Sequence, residues 1–254
     1  MGNDSRLSGW IRLLRISRIH TDLALEPESE LVLQGGAAHY LLRVLRVTPG
    51  QSVILFNGDG HDYVSEVVMP GKKDVRLRVL SRLPARPESP LRVTLVQALS
   101  RGERMDLTLQ KCTELGAVAF QPLRSERIEI RLSAEKMRKR QNHWQGVVIS
   151  ACEQSGRAIV PPVFSPLALG TWLEQEPVGL RLVLAPAAEQ RLSDIEFPAD
   201  IELLAGPEGG FSDGEMELMQ SSGTQAVSLG PRILRTETAA PAAVAIIQAL
   251  AGDL

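Results

Sequence analysis

The sequence predicts an α/β protein, with a mostly parallel sheet over its C-terminal two thirds and a small β-rich, barrel-like module before it. Three observations support this. After Pro84-Ala85-Arg86-Pro87, apolar runs of strand length alternate with helical stretches, the signature of a parallel sheet covered by helices. Before that point the runs are short, period-two and separated by turn residues. Two glycine-proline loops then follow strands late in the chain, where open α/β sheets hold their ligands.

Residues 1–14 show no period and are set apart as an N-terminal extension. From Arg15 to His20 polar and apolar residues alternate, as in a half-buried strand. Glu30–Leu33 is a second strand, and Gly35 opens a helix through Val47. That helix sets Leu41, Leu42 and Leu45 against Arg43 and Arg46, and Pro49-Gly50 stops it. Ser52–Phe56 and Asp62–Val68 flank Asn57-Gly58-Asp59-Gly60, a hairpin turn, and Val75–Leu83 alternates again. The prolines at 84–87 mark the boundary, giving expected domains of 15–84 and 88–254.

The second domain reads as strand Leu91–Gln97, helix Met105–Leu115, strand Ala117–Leu123 and a long helix Ala134–Gln154. A short helix around Trp172 follows, then strands Leu180–Leu184 and Ile201–Ala205. Ser212 with Glu215 is a capping box that starts the next helix. Ala226–Leu229 is the last strand and Thr238–Ala251 the last helix, whose Pro241 is tolerable in a first turn.

Composition narrows the function. Two well-separated cysteines and four scattered histidines make no disulfide framework or metal-ligand spacing, so no metal is expected. No apolar stretch has the length of a membrane span, so a cytoplasmic protein with no membrane partner is expected. The net charge of −2 conceals an asymmetry: residues 91–160 carry 12 basic and 7 acidic side chains, residues 161–254 carry 4 and 13. A polyanionic partner on the earlier part follows naturally. Gly206-Pro207-Glu208-Gly209-Gly210-Phe211 and Leu229-Gly230-Pro231 match neither G-x-G-x-x-G nor a P-loop, which argues against a phosphate-rich nucleotide.

These loops bring a resemblance into view. Gly206–Ser212 and Leu229–Ala239 are similar to the paired signatures of the RsmE family, SPOUT-class methyltransferases that methylate uridine N3 in 16S ribosomal RNA. Gln110–Gly116, Ser125-Glu126-Arg127, Glu153–Arg157, Arg15–Ile19 and His39–Arg46 extend the match from about Leu14 to the end, with Ser17 and Cys112 as small departures.

The resemblance implies a PUA-like N-terminal domain, a SPOUT-type domain with a deep trefoil knot, S-adenosylmethionine bent in the knot loops, and a homodimer acting on 16S rRNA within the small ribosomal subunit. Leu184, Ala185, Gly206, Pro207, Glu208, Gly209, Gly210, Leu229, Gly230, Ile233, Leu234 and Thr238 are the expected cofactor residues. Uridine N3 must lose a proton, so a base or a cation facing the uridine anion is needed. Arg235 is the first choice for the cation, set against an ion pair with Glu237 or Glu208. Glu153 and Glu208 are the candidate bases, although bracing loop N–H groups is the favoured use for both. Arg157 is expected at RNA across the dimer, and Arg15, Arg18, Arg43 and Arg46 on the RNA backbone. Methylation of a ribose 2′-hydroxyl, or a non-catalytic assembly role, stays open at this point.

Overall fold

The computed structural model describes residues 16–127 and 133–254. Arg15 and the 1–14 extension lie outside the described residues. The chain forms two compact units, one running to Pro87 and including Cys152–Val160, the other comprising Glu88–Ala151 and Pro161–Leu254.

The first unit is a five-stranded sheet of β1 (Arg18–His20), β2 (Glu30–Leu33), β3 (Ser52–Phe56), β4 (His61–Pro70) and β5 (Val75–Pro84), in the order β1-β3-β4-β5-β2. All pairings are antiparallel except β1 with β3. In β5 the period-two reading is direct: Val75, Leu77 and Val79 are buried while Arg76, Arg78 and Leu80 are exposed. With Ile19, Leu55 and Tyr63 the buried set makes the core of this unit.

One helix departs from expectation. Helix α1 (Gly35–His39) gives way to a π-helical stretch over Tyr40–Leu45, closed by the Arg46 N–H to the Leu41 carbonyl. Arg46 is left-handed at φ 51, which ends the coil before Val47. The wider winding keeps Leu41 in the core while Arg43, Val44 and Arg46 stay exposed.

The second unit is a six-stranded parallel sheet of β6 (Arg92–Ala98), β7 (Ala119–Arg124), β8 (Leu167–Ala168), β9 (Leu180–Leu184), β10 (Asp200–Ala205) and β11 (Gln225–Val227). Its order is β11-β9-β10-β6-β7-β8. Helices α2 (Arg104–Glu114), α3 (Ala134–Ser155), α4 (Leu169–Leu173), α5 (Asp213–Ser221) and α6 (Thr236–Ala251) punctuate it. The central strands are covered on both faces, so Leu203, Leu204, Leu182 and Val183 are all buried.

Two buried charges interrupt this apolar sheet. Arg181 of β9 and Glu202 of β10 face each other in register, Nε to Oε2 at 2.9 Å, with side chains only 4% and 8% exposed. The guanidinium lies 4.2 Å over the Trp172 ring and donates to the Leu173 and Gln175 carbonyls. Helix α4 is thereby placed by the pair.

Ser212 caps α5 as expected. Its Oγ accepts the Glu215 N–H at 3.1 Å and its N–H donates to Glu215 Oε2 at 2.9 Å. The last strand is shorter than its apolar run, because the Ser228 N–H turns to the Gln190 carbonyl instead of β9. Helix α6 begins two residues earlier than expected, with Arg235 as N-cap. Pro241 is therefore the sixth helical residue, beyond the first turn, and removes an intrahelical N–H that would have reached Glu237.

Candidate active site

The strand order puts β11, β9 and β10 side by side, so their carboxyl ends open together. A cavity of about 370 Å³ lies there. The loops after β9 (Leu184, Ala185, Pro186), β10 (Gly206, Pro207, Glu208, Gly210) and β11 (Leu229, Gly230, Arg232, Ile233, Leu234) line it, with the first turn of α6. Three stretches separated by tens of residues in sequence thus form one wall.

Local chemistry holds the loops together. The Thr236 hydroxyl donates to the Gly206 carbonyl at 2.8 Å, and the buried Gln97 amide reaches Thr236 Oγ1 at 3.2 Å and the Ala205 carbonyl at 3.3 Å. From the other side, Arg127 donates to the Gly209 carbonyl at 2.7 Å, and Ser212 Oγ to Glu126 Oε2 at 2.6 Å. Gly206 is needed for closeness, since a Cβ there would meet the Phe211 ring at 3.3 Å and Gly210 Cα at 3.4 Å. Gly230 is needed for conformation, at φ +107.

Most of the expected cofactor residues meet at this cavity: Leu184, Ala185, Gly206, Pro207, Glu208, Gly210, Leu229, Gly230, Ile233 and Leu234. Gly209 and Thr238 are not among its lining. Gly209 turns its carbonyl to Arg127, and the Thr238 N–H is bound to the Arg235 carbonyl inside the first turn of α6. Arg104, Thr236 and Glu237 also line it. The sequence reading missed them, although Thr236 and Glu237 stand beside Arg235 in the second motif.

The electrostatics reassign two carboxylates. Burial raises the pKa of Glu208, but its own N–H, the Arg101 N–H at 3.0 Å and the Arg104 guanidinium at 2.6 Å together outweigh this and hold it below the ordinary value. Glu208 is thus a loop brace, as favoured. Arg104 also stands 3.8 Å from Glu237 Oε2, an ion-pair contact too long for a hydrogen bond. The anticipated pairing of Arg235 with either carboxylate is corrected: Arg104 takes both. Arg235 is exposed, lines the cavity and makes no ion pair among the described residues.

The other expected catalytic residues, Glu153 and Arg157, group with the first unit, as do the end of α3 and the segment after it; neither is in the lining of this chain's cavity. Glu153 accepts the His20 N–H at 3.0 Å and so braces backbone, and Arg157 is buried with its carbonyl accepting from Arg18. Arg18, expected on the RNA backbone, has partners within the first unit. Its guanidinium pairs with Asp62 and stacks 4.8 Å over Phe56, so its charge is neutralised within the unit. Arg43 and Arg46 remain exposed.

Burial pushes the Glu153 carboxyl up from its ordinary 4.5, against the lowering effects of the His20 N–H and the Arg18 charge. The folded state therefore holds its proton to higher pH than the unfolded chain, and stability falls as pH rises from about 4.5 through the folded value. Glu153→Gln should flatten that slope and raise stability at pH 7, as read by urea unfolding across mildly acidic pH. An unchanged slope would count against the burial effect.

A family model described as an RNA methyltransferase domain matches residues 87–248, and one described as an RNA methyltransferase PUA domain matches residues 33–80. Ribosomal RNA small subunit methyltransferase E of a Synechocystis strain is 38% identical, over 88% of this chain and 74% of its own length. That of Buchnera aphidicola from Schizaphis graminum is 32% identical over 94% and 98%. A methyltransferase structure from Legionella pneumophila with bound S-adenosylmethionine is 40% identical with a TM-score of 0.92, covering 94% of this chain and 100% of that one. The methyltransferase E of Neisseria gonorrhoeae, bound to the same cofactor, is 38% identical with a TM-score of 0.88 and the same coverage. The barrel-like first unit is thus the PUA-like domain and the parallel sheet the SPOUT-type domain that the motifs implied. The paired loops, the order of the motifs and the sheet that carries them all agree: the chain belongs to the ribosomal RNA small subunit methyltransferase E family, RsmE.

Proposed function

We propose that this protein transfers a methyl group from S-adenosylmethionine to N3 of a specific uridine in 16S ribosomal RNA, within the small ribosomal subunit and in the cytoplasm. The observation that carries this is the cavity at the three adjacent strand ends, with an exposed arginine at its lip. Apolar Leu184, Leu229 and Leu234, backbone groups bared by Gly206 and Gly230, and a volume of about 370 Å³ suit an adenosine joined to an amino acid. When bound, S-adenosylmethionine supplies a methyl group activated on a sulfonium.

The chain's own residues do the rest. The loops orient the reacting partners, which in the best intramolecular models contributes about 7–11 kcal/mol. Arg235 offers a forked cation to the oxygen flanking N3 as negative charge develops there. Residues 15–84 supply RNA contacts, Arg43 and Arg46 among them, and residues 88–254 form the transferase domain. A homodimer is part of this reading, through the small-residue stretch Ala239–Ala245 of α6.

Mass mapping of 16S RNA from a strain lacking the protein should show one methyluridine missing. Loss of a ribose methyl would favour the 2′-hydroxyl as acceptor, and an unchanged map a non-catalytic role. At the cofactor site, Gly230→Val places a β-branched residue at φ +107, with about 1–3 kcal/mol of strain on the cavity wall. It should weaken S-adenosylmethionine binding in calorimetry by about tenfold, or 1.4 kcal/mol. Gly209→Ala is the control, since its Cβ meets only the Arg127 stem at 3.6 Å. Unchanged affinity in the Gly230 variant would remove that loop from the site.

A further inference from the structure

The proposed reaction needs a proton acceptor for the uridine imide, and the two carboxylates expected from the motifs are committed elsewhere. Glu208 is held by three hydrogen bonds, and Glu153 lies in the other unit bracing His20. One further carboxylate among the described residues lines the cavity. Glu237, the second residue of α6, has a side chain only 15% exposed. Its Oε2 is buried and accepts no hydrogen bond among the described residues, Arg104 Nε standing 3.8 Å away. A buried carboxylate oxygen with acceptor capacity left over is uncommon in a folded protein, where buried polar atoms are nearly always satisfied. Among the described residues the other charged groups of the cavity are Arg104, Glu208, Arg232 and Arg235, of which Glu208 is the other acceptor.

We infer that Glu237 is the general base of the reaction and that Arg104 is a positioning residue for it, an inference that rests on the proposed uridine chemistry. The N3–H bond breaks, its proton passes to a Glu237 carboxylate oxygen, and the electron pair stays on the imide, spread over N3, O2 and O4. Arg235, two residues before Glu237 at the start of the same helix, faces the charge left behind. The proton leaves for solvent when the site opens. Arg104, paired with Glu208 on the β10 loop, stands 3.8 Å from Glu237 on α6 and so links the two elements electrostatically.

The test is Glu237→Gln in the full chain, assayed by single-turnover methyl transfer to small subunits from a strain lacking the protein. S-adenosylmethionine calorimetry and thermal melting run beside it. The rate should fall by about 100-fold or more, with cofactor affinity and melting temperature unchanged. The residual rate should climb steadily with pH as the imide ionises unaided. A wild-type rate overturns the assignment, and so does a loss of affinity matching the loss of rate, which makes Glu237 a cofactor ligand. Where Glu237→Gln does not fold, Glu237→Asp draws the carboxylate back and should slow transfer by about tenfold or more at unchanged affinity; a wild-type rate there is equally fatal. A wild-type chain that methylates no uridine takes the proposed function down with it. Methylation by the wild type beside an unaffected Glu237→Gln removes Glu237 alone.

Discussion

Arg235→Ala should lower the rate of methyl transfer by about 100- to 1000-fold while leaving S-adenosylmethionine affinity and the oligomeric state unchanged. The argument rests on which cations are already engaged. Arg104 serves both Glu208 and Glu237, so neither of these cavity carboxylates neutralises Arg235. Arg235 is the N-cap of α6, exposed at the cavity, with a fork that can hold an oxygen beside N3. Its charge acts only as the uridine anion forms, so the loss belongs in kcat rather than in binding. Single-turnover rates and calorimetry on the same preparation separate the two. Arg235→Lys, which keeps the charge but not the fork, should recover only part of the rate. Wild-type turnover in Arg235→Ala would end the assignment.

Glu202→Ala should destabilise the parallel-sheet unit by about 3–5 kcal/mol. Removing the carboxylate strands the Arg181 guanidinium at 4% exposure, with Trp172 and two carbonyls for company but no counter-charge. The cost comes from the uncompensated charge, not from the worth of the pair. Replacing both partners by apolar residues, Arg181→Met with Glu202→Leu, should therefore lie much nearer to wild type than Glu202→Ala alone. Urea unfolding of the three chains, followed by tryptophan fluorescence, tests this. A double variant as unstable as the single one would show that the pair itself, and its hold on α4, is what matters.

Much of the site was legible because its glycines and prolines sit together in short motifs. Gly206 and Gly230 are readable in sequence since nothing else fits a close turn or φ +107. Ser212 and Glu215 are readable since a capping box involves only residues three apart. The errors share a physical cause. Arg18 reads as a surface charge until β4 brings Asp62 beside it, and Glu153 reads as a site residue until β1 brings the His20 N–H. Arg104, just before the expected start of its helix, carries no local signal until the β10 loop hands it Glu208. Each is a partnership across 44 to 133 residues of chain, which no local pattern encodes.

The sequence by itself determined the class of the fold, most of the strand and helix series, the family through its motifs, and the loops that make the cavity. Those features depend on periodicity, turn chemistry and steric demands between near neighbours. Only the tertiary structure decided the strand order β11-β9-β10, which gathers three distant loops at one edge, and the pairing of charges around them. Charges act through space and across whatever the fold brings within a few ångströms. For that reason the same carboxylate type became a brace at Glu208, a backbone acceptor at Glu153, a buried counter-ion at Glu202 and, among the described residues, an unsatisfied acceptor at Glu237.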